Sequence, residues 1–175
     1  MTTLKSNQAL PSGFLRAVLC GGLLAGIVVE VDALIAYKLV LGFNPVPIYQ
    51  FIASGLLGAR AYQLGLSSAL LGLAIHFLIA FTAAWIYVQA SLLLPALRQR
   101  YVLTGLLFGT AVWAFMNLVV IPLSRIPPSP FSLPLFLNGV IGHALFVGLP
   151  ISWAAQRYVS KGERNVSAAP IAHTG

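Results

Sequence analysis

The sequence predicts an all-α membrane protein, a four-transmembrane-helix bundle, on three observations. Four long stretches, residues 14–41, 66–93, 102–123 and 135–155, are almost free of charge. Each supplies the roughly 20 mostly apolar residues that a spanning helix needs. The 175-residue chain is 59% hydrophobic and 7% charged, which separates it from soluble globular domains. Lipid offers the backbone no hydrogen-bond partners, so such stretches must be helices packed as a bundle.

The elements follow in order as one domain, residues 14–157, between an N-terminal tail (1–13) and a C-terminal one. The first stretch runs well beyond a signal peptide's apolar core and meets no small-x-small cleavage site, so it reads as a retained span. The lone Cys20 rules out an internal disulfide and any multi-cysteine metal site. In the first connection, residues 42–65, the apolar run 48–57 is too short to span. It suits an interfacial or re-entrant helix beginning after Pro47. The second long connection carries Pro127, Pro128, Pro130 and Pro134 and should be extended and stiff. Pro150 should kink the fourth span and free a backbone carbonyl. From Tyr158 onward apolar periodicity stops and a disordered tail is expected.

The formal charge of +7 does not point to nucleic acid, because the basic residues sit at span ends rather than on one soluble face. Four spans place both termini on one side of the membrane. Lys5, Arg16, Arg98, Arg100, Arg157, Lys161 and Arg164 lie on that side, against Lys38, Arg60 and Arg125 opposite. The excess predicts cytoplasmic termini. Tyr37, Tyr62, Tyr87, Tyr101, Trp153 and Tyr158 read as interfacial aromatics near span ends.

An internal repeat is expected. Gly22-Leu-Leu-Ala-Gly26 in the first span matches Gly105-Leu-Leu-Phe-Gly109 in the third, and Pro45 and Pro47 fall on Pro128 and Pro130 at the same offset. Gly72-Leu-Ala-Ile-His76 matches Gly139-Val-Ile-Gly-His143 at a shorter one, the difference being the extra helix in the first connection. The chain therefore reads as two tandem hairpins in a parallel repeat. In lipid, helices associate by close packing over small residues, which makes Gly22, Gly26, Gly72, Gly105, Gly109 and Gly139 the expected packing positions.

Glu30, His76 and His143 each interrupt a small-residue stripe, which turns them toward neighbouring helices. By helical rise Glu30 lies about 24 Å from the inner start of its span. His76 and His143 lie about 15 and 12 Å from the outer starts of theirs. Asn117 and Asn138 also fall in the outer half. Asp32 reaches the same level, but two residues from Glu30 it should face another way. Arg125 is expected to reach the surface, with pairing to Asp32 or Glu30 as the alternative.

Ionisable groups at membrane depth are costly and usually face a partner. One reading is that these residues only bond helices together. The others are a pocket of Glu30, His76, His143, Asn117, Asn138, Asp32 and Arg125 that binds or senses a proton, ion or small ligand, a metal site of His76, His143 and Glu30, and haem held by the two histidines. No cofactor is predicted, and no nucleophile motif or phosphate-binding loop points to an enzyme. The lipid bilayer is the expected partner, with homodimerisation over exposed small-residue faces, or another membrane protein, left open.

Between His76 and Pro150 the chain resembles bacterial inner-membrane proteins of the YagU type. The resemblance rests on His76-Phe-Leu-Ile-Ala80, Ala84, Tyr87, Gly105-Leu-Leu-x-Gly109, Pro122-Leu123, Phe131-Ser-Leu-Pro134, Asn138 and Gly142-His143. It implies a small bacterial inner-membrane protein and brings no catalytic residue with it.

Overall fold

The computed structural model describes residues 13–42 and 44–160; the expected tails at 1–12 and 161–175 lie outside the described residues. Among the described residues there is no strand. Four long apolar helices carry the fold: α1 (Phe14–Leu41), α3 (Gly65–Leu93), α5 (Tyr101–Leu123) and α6 (Leu133–Val159). Two short ones lie between them, α2 (Pro45–Leu57) and α4 (Ala96–Gln99). A 3-10 turn, Gly58–Gln63, links α2 to α3. The four spans are 23 to 29 residues long, enough to cross a bilayer core of about 30 Å. Their outward faces are apolar throughout, with Leu107, Leu118 and Leu123 among the most exposed side chains. A soluble monomer rarely exposes apolar surface on that scale. The chain is a multi-pass membrane protein.

The spans differ from the sequence expectation mainly at the last one. α6 continues through Val159, so the helix covers Tyr158 and Val159, where a tail was expected. The reason is packing: Val159 is fully buried, Tyr158 stacks edge-on with Trp153 at 6.3 Å, and Gly13 lies directly against the Tyr158 backbone. That contact defines the proximal end of the bundle, where both described chain ends meet. Tyr87 also departs from expectation. It is buried, not interfacial, because its hydroxyl donates to the Leu97 carbonyl at 2.9 Å and meets Thr104 Oγ1 at 2.8 Å.

Glycines set the crossings. A Cβ on Gly22 or Gly26 would run into Phe81 or Phe77 of α3, and one on Gly21 would press on Ile151 of α6. α1 therefore lies between α3 and α6. In the second pair, Gly105 meets Gly148 and Ser152, while Gly109 meets His143 and Ala144, with backbone against backbone. Gly72 differs: it receives the Tyr49 carbonyl of α2 rather than another span. Gln50 Nε2 donates to the Gly65 carbonyl at 3.0 Å and Ser68 Oγ to the Ala61 carbonyl at 2.5 Å, which ties α2 to the distal end of α3.

α5 packs along α6 and meets α3 at the proximal end, through Tyr87 against Phe108 at 4.9 Å. Toward the distal end no such contact joins them, and the bundle opens there. Two prolines loosen the backbone beside the opening. Pro122 and Pro150 cannot donate to the carbonyls four residues earlier, and the chain answers with wide π turns just before each, Met116–Val120 and His143–Gly148. Such turns accommodate a broken hydrogen-bond ladder within a helix.

Candidate functional site

The distal opening is a half-open cavity of about 780 Å³, bordered by all four spans, α2 and the proline-dense loop. Val29, Ala83, Val112 and Val147, one from each span, close its proximal end. At the distal end, α2 and the loop are joined by the Arg125 N–H donating to the Gly55 carbonyl at 3.1 Å.

The polar residues picked out by the sequence gather here. Glu30, Asp32, His76, Asn117, Asn138 and His143 all line the cavity. Arg125, counted with the pocket from the sequence, does not line it: its side chain is exposed at the distal surface and makes no ion pair among the described residues, because the loop backbone rather than the side chain turns to α2. Asp32 lines the same cavity as Glu30, although it leaves the helix on a different face. The two point about 200° apart on the helix, but with α1 between α3 and α6 Glu30 turns to α3 and Asp32 to α6, and the cavity borders both.

Glu30 is 7% exposed and its Oε2 lies 3.5 Å from His76 Nε2. That nitrogen must carry a proton, because it donates to the Gly26 carbonyl at 2.9 Å, and a carbonyl can only accept. Glu30 Oε1 is buried and makes no hydrogen bond of ordinary geometry. Tyr49 of α2 stands nearby: its hydroxyl pKa is pushed up to about 12, first by burial, then by the negative charge of Glu30 and by the hydroxyl's own hydrogen bond toward that carboxylate.

Asp32 is held differently. Asn138 Nδ2 donates to both carboxylate oxygens, at 3.2 and 3.0 Å, and Gly142 leaves room for Oδ2. His143 Nδ1 donates to the Gly139 carbonyl at 2.9 Å, and Asn117 Nδ2 to the Trp113 carbonyl at 2.9 Å, each bond within its own helix. Trp113 meets Phe136 edge to face at 5.0 Å on the cavity wall.

Among the described residues no three of His, Cys, Asp and Glu come close enough together to hold one metal ion. His76, His143 and Glu30 thus share a cavity without forming one ligand shell. The sequence reading missed Tyr49, Trp113 and Gly142. Gly142 had a signal, since it lies one turn from Asn138 on a glycine-bearing helix. Tyr49 had none, because nothing in the residues between the first two spans ties that segment to Glu30.

The fold and the cavity define an integral membrane protein, with four spans among the described residues and a half-open, mostly apolar chamber that carries a few polar side chains. No family model, curated protein or solved structure matches the chain.

Proposed function

We propose that the protein binds a small ligand in the distal cavity and performs no chemistry on it. The observation that carries this is Glu30, a membrane-embedded carboxylate beside an open chamber, whose buried Oε1 makes no hydrogen bond of ordinary geometry and whose nearby donors among the described residues are Tyr49 and His76. A buried polar atom without a partner costs about 1–3 kcal/mol, and a ligand donor would remove that cost. Helix locking accounts well for Asp32 with Asn138 and for Asn117 on its own helix. It does not account for Glu30 Oε1.

The test is thermal unfolding of the detergent-purified chain against a panel of small amphiphiles. A ligand that binds the folded state raises its stability with concentration. At least one compound should raise the midpoint of the wild type but not of Ile79→Trp, which puts an indole into the chamber. No shift with any compound, or equal shifts in both proteins, would return the polar residues to a purely structural role.

We further read the chain as a duplicated hairpin in a bacterial inner membrane, with both termini cytoplasmic. The repeat is supported by contacts: Gly22 against Phe81 and Gly26 against Phe77 correspond, at the two sequence offsets, to Gly105 against Gly148 and Gly109 against Ala144. Orientation is supported by the basic residues at the proximal end. Alkaline phosphatase fused after Gly175 should stay inactive, since it folds only outside the cytoplasm; an active fusion would reverse the orientation.

A further inference from the structure

We propose that the ligand is a lipophilic organic cation, a reading that rests on the chamber binding a ligand at all. The argument begins with where the charges lie. The chain has ten Lys and Arg against three Asp and Glu. Two of those three acids, Glu30 and Asp32, line the cavity, and no Lys or Arg does. A strongly basic protein thus encloses a chamber whose fixed charge is negative.

Neither carboxylate is matched by a fixed cation. Glu30 faces His76 at 3.5 Å, and that histidine needs no charge to make its bond to Gly26. Asp32 accepts from Asn138, which is neutral, and one amide nitrogen serves both oxygens. A carboxylate offers about four acceptor sites, so both acids keep capacity for a further donor. Glu30 points the same way: it is 7% exposed, it lines the chamber, and its Oε1 makes no hydrogen bond of ordinary geometry, with the Tyr49 hydroxyl as a neutral neighbour.

The rest of the wall selects the body of the ligand. Tyr37, Phe51, Trp113 and Phe136 line the chamber, and aromatic faces attract cations by about 0.5–2 kcal/mol, more when water is excluded. Apolar side chains supply most of what remains. A hydrated metal ion would lose its shell against such a wall, and an anion would meet two carboxylates. The volume of about 780 Å³ lies within the range of pockets that enclose drug-sized molecules, about 300–1,000 Å³. The chemistry that fits is a quaternary or protonated onium centre carrying apolar or aromatic groups.

The probe is a pair of ions of the same shape and opposite charge, tetraphenylphosphonium and tetraphenylborate. Binding to the purified full-length chain is measured by equilibrium dialysis, with Ile79→Trp protein in the same detergent as the background for micelle partitioning. Tetraphenylphosphonium should bind at least tenfold more tightly than tetraphenylborate. Glu30→Gln should weaken it at least tenfold, and Asp32→Asn, at a half-buried site that is easier to alter, should weaken it in the same direction. Equal binding of the two ions, lost in Ile79→Trp, would overturn the cation and leave the chamber as a site for neutral or lipid molecules. Absence of phosphonium binding would also overturn the cation, while the amphiphile panel decides independently whether the chamber binds anything. Unchanged phosphonium affinity in both carboxylate variants would place the cation elsewhere.

Discussion

Gly148→Val is expected to detach α5 from α6. A Cβ on Gly148 would overlap the Gly105 carbonyl and crowd the Gly109 nitrogen, all backbone atoms that cannot rotate aside. Overpacking costs about 1–3 kcal/mol where side chains can yield, so a loss of about 3 kcal/mol or more is expected here. α5 is vulnerable because α6 is its main support. The control is Gly55→Ala in α2, whose nearest outside atom would be Ser124 Cβ at 3.8 Å, an ordinary contact. Alanine there should be neutral or gain up to about 1 kcal/mol from helix propensity. Thermal unfolding in detergent, followed by helical circular dichroism, compares the two. Gly148→Val within about 0.5 kcal/mol of the wild type would refute the crossing.

The second large effect concerns the Glu30–His76 pair. His76→Ala removes the group nearest Glu30 Oε2 and leaves the Gly26 carbonyl without its donor. A buried acceptor left without its donor costs about 1–3 kcal/mol, and the Glu30 carboxylate loses its nearest polar neighbour as well. Glu30→Gln should be much milder, since His76 keeps its bond to Gly26. The double variant should therefore be more stable than His76→Ala alone, by about 1 kcal/mol or more, and the cycle gives the coupling directly. If the two changes simply add, the carboxylate and the imidazole do not interact and their proximity has no energetic content.

The architecture was legible because lipid imposes few solutions. Charge-free length located all four spans, and each of the six glycines singled out for packing sits against a neighbouring segment. Polar interruptions located the chamber, since a costly group at depth must face the bundle. Periodicity assigns a face to a helix but does not say which neighbour occupies it. That is why the partner of Gly72 was open until the structure set it against α2, and why Asp32 and Glu30, on different faces of one helix, could not be seen to reach one cavity through different neighbours. Tyr87 was read as interfacial because its position near a span end is all the sequence displays; the Leu97 carbonyl and Thr104 that bury it come from the following turn and helix. Tyr49 was invisible for the same reason: its relation to Glu30 exists only once α2 folds back along α3.

The dependence of α5 on α6 also sets an order of assembly. Chains enter a membrane from the N-terminus, and by residue 93 the pair of α1 and α3 is complete, with its glycines and phenylalanines already matched. α5 emerges next and has little to hold except Tyr87. Its backbone partners, Gly148 and Ala144, lie in α6, the next span to be made, which is also the helix that closes the far flank of α1. Until that helix arrives, an apolar helix waits in the lipid without a mate and the chamber lacks a wall. The described bundle is thus closed by α6, and a chain cut short before it would hold a finished hairpin beside a single orphaned helix.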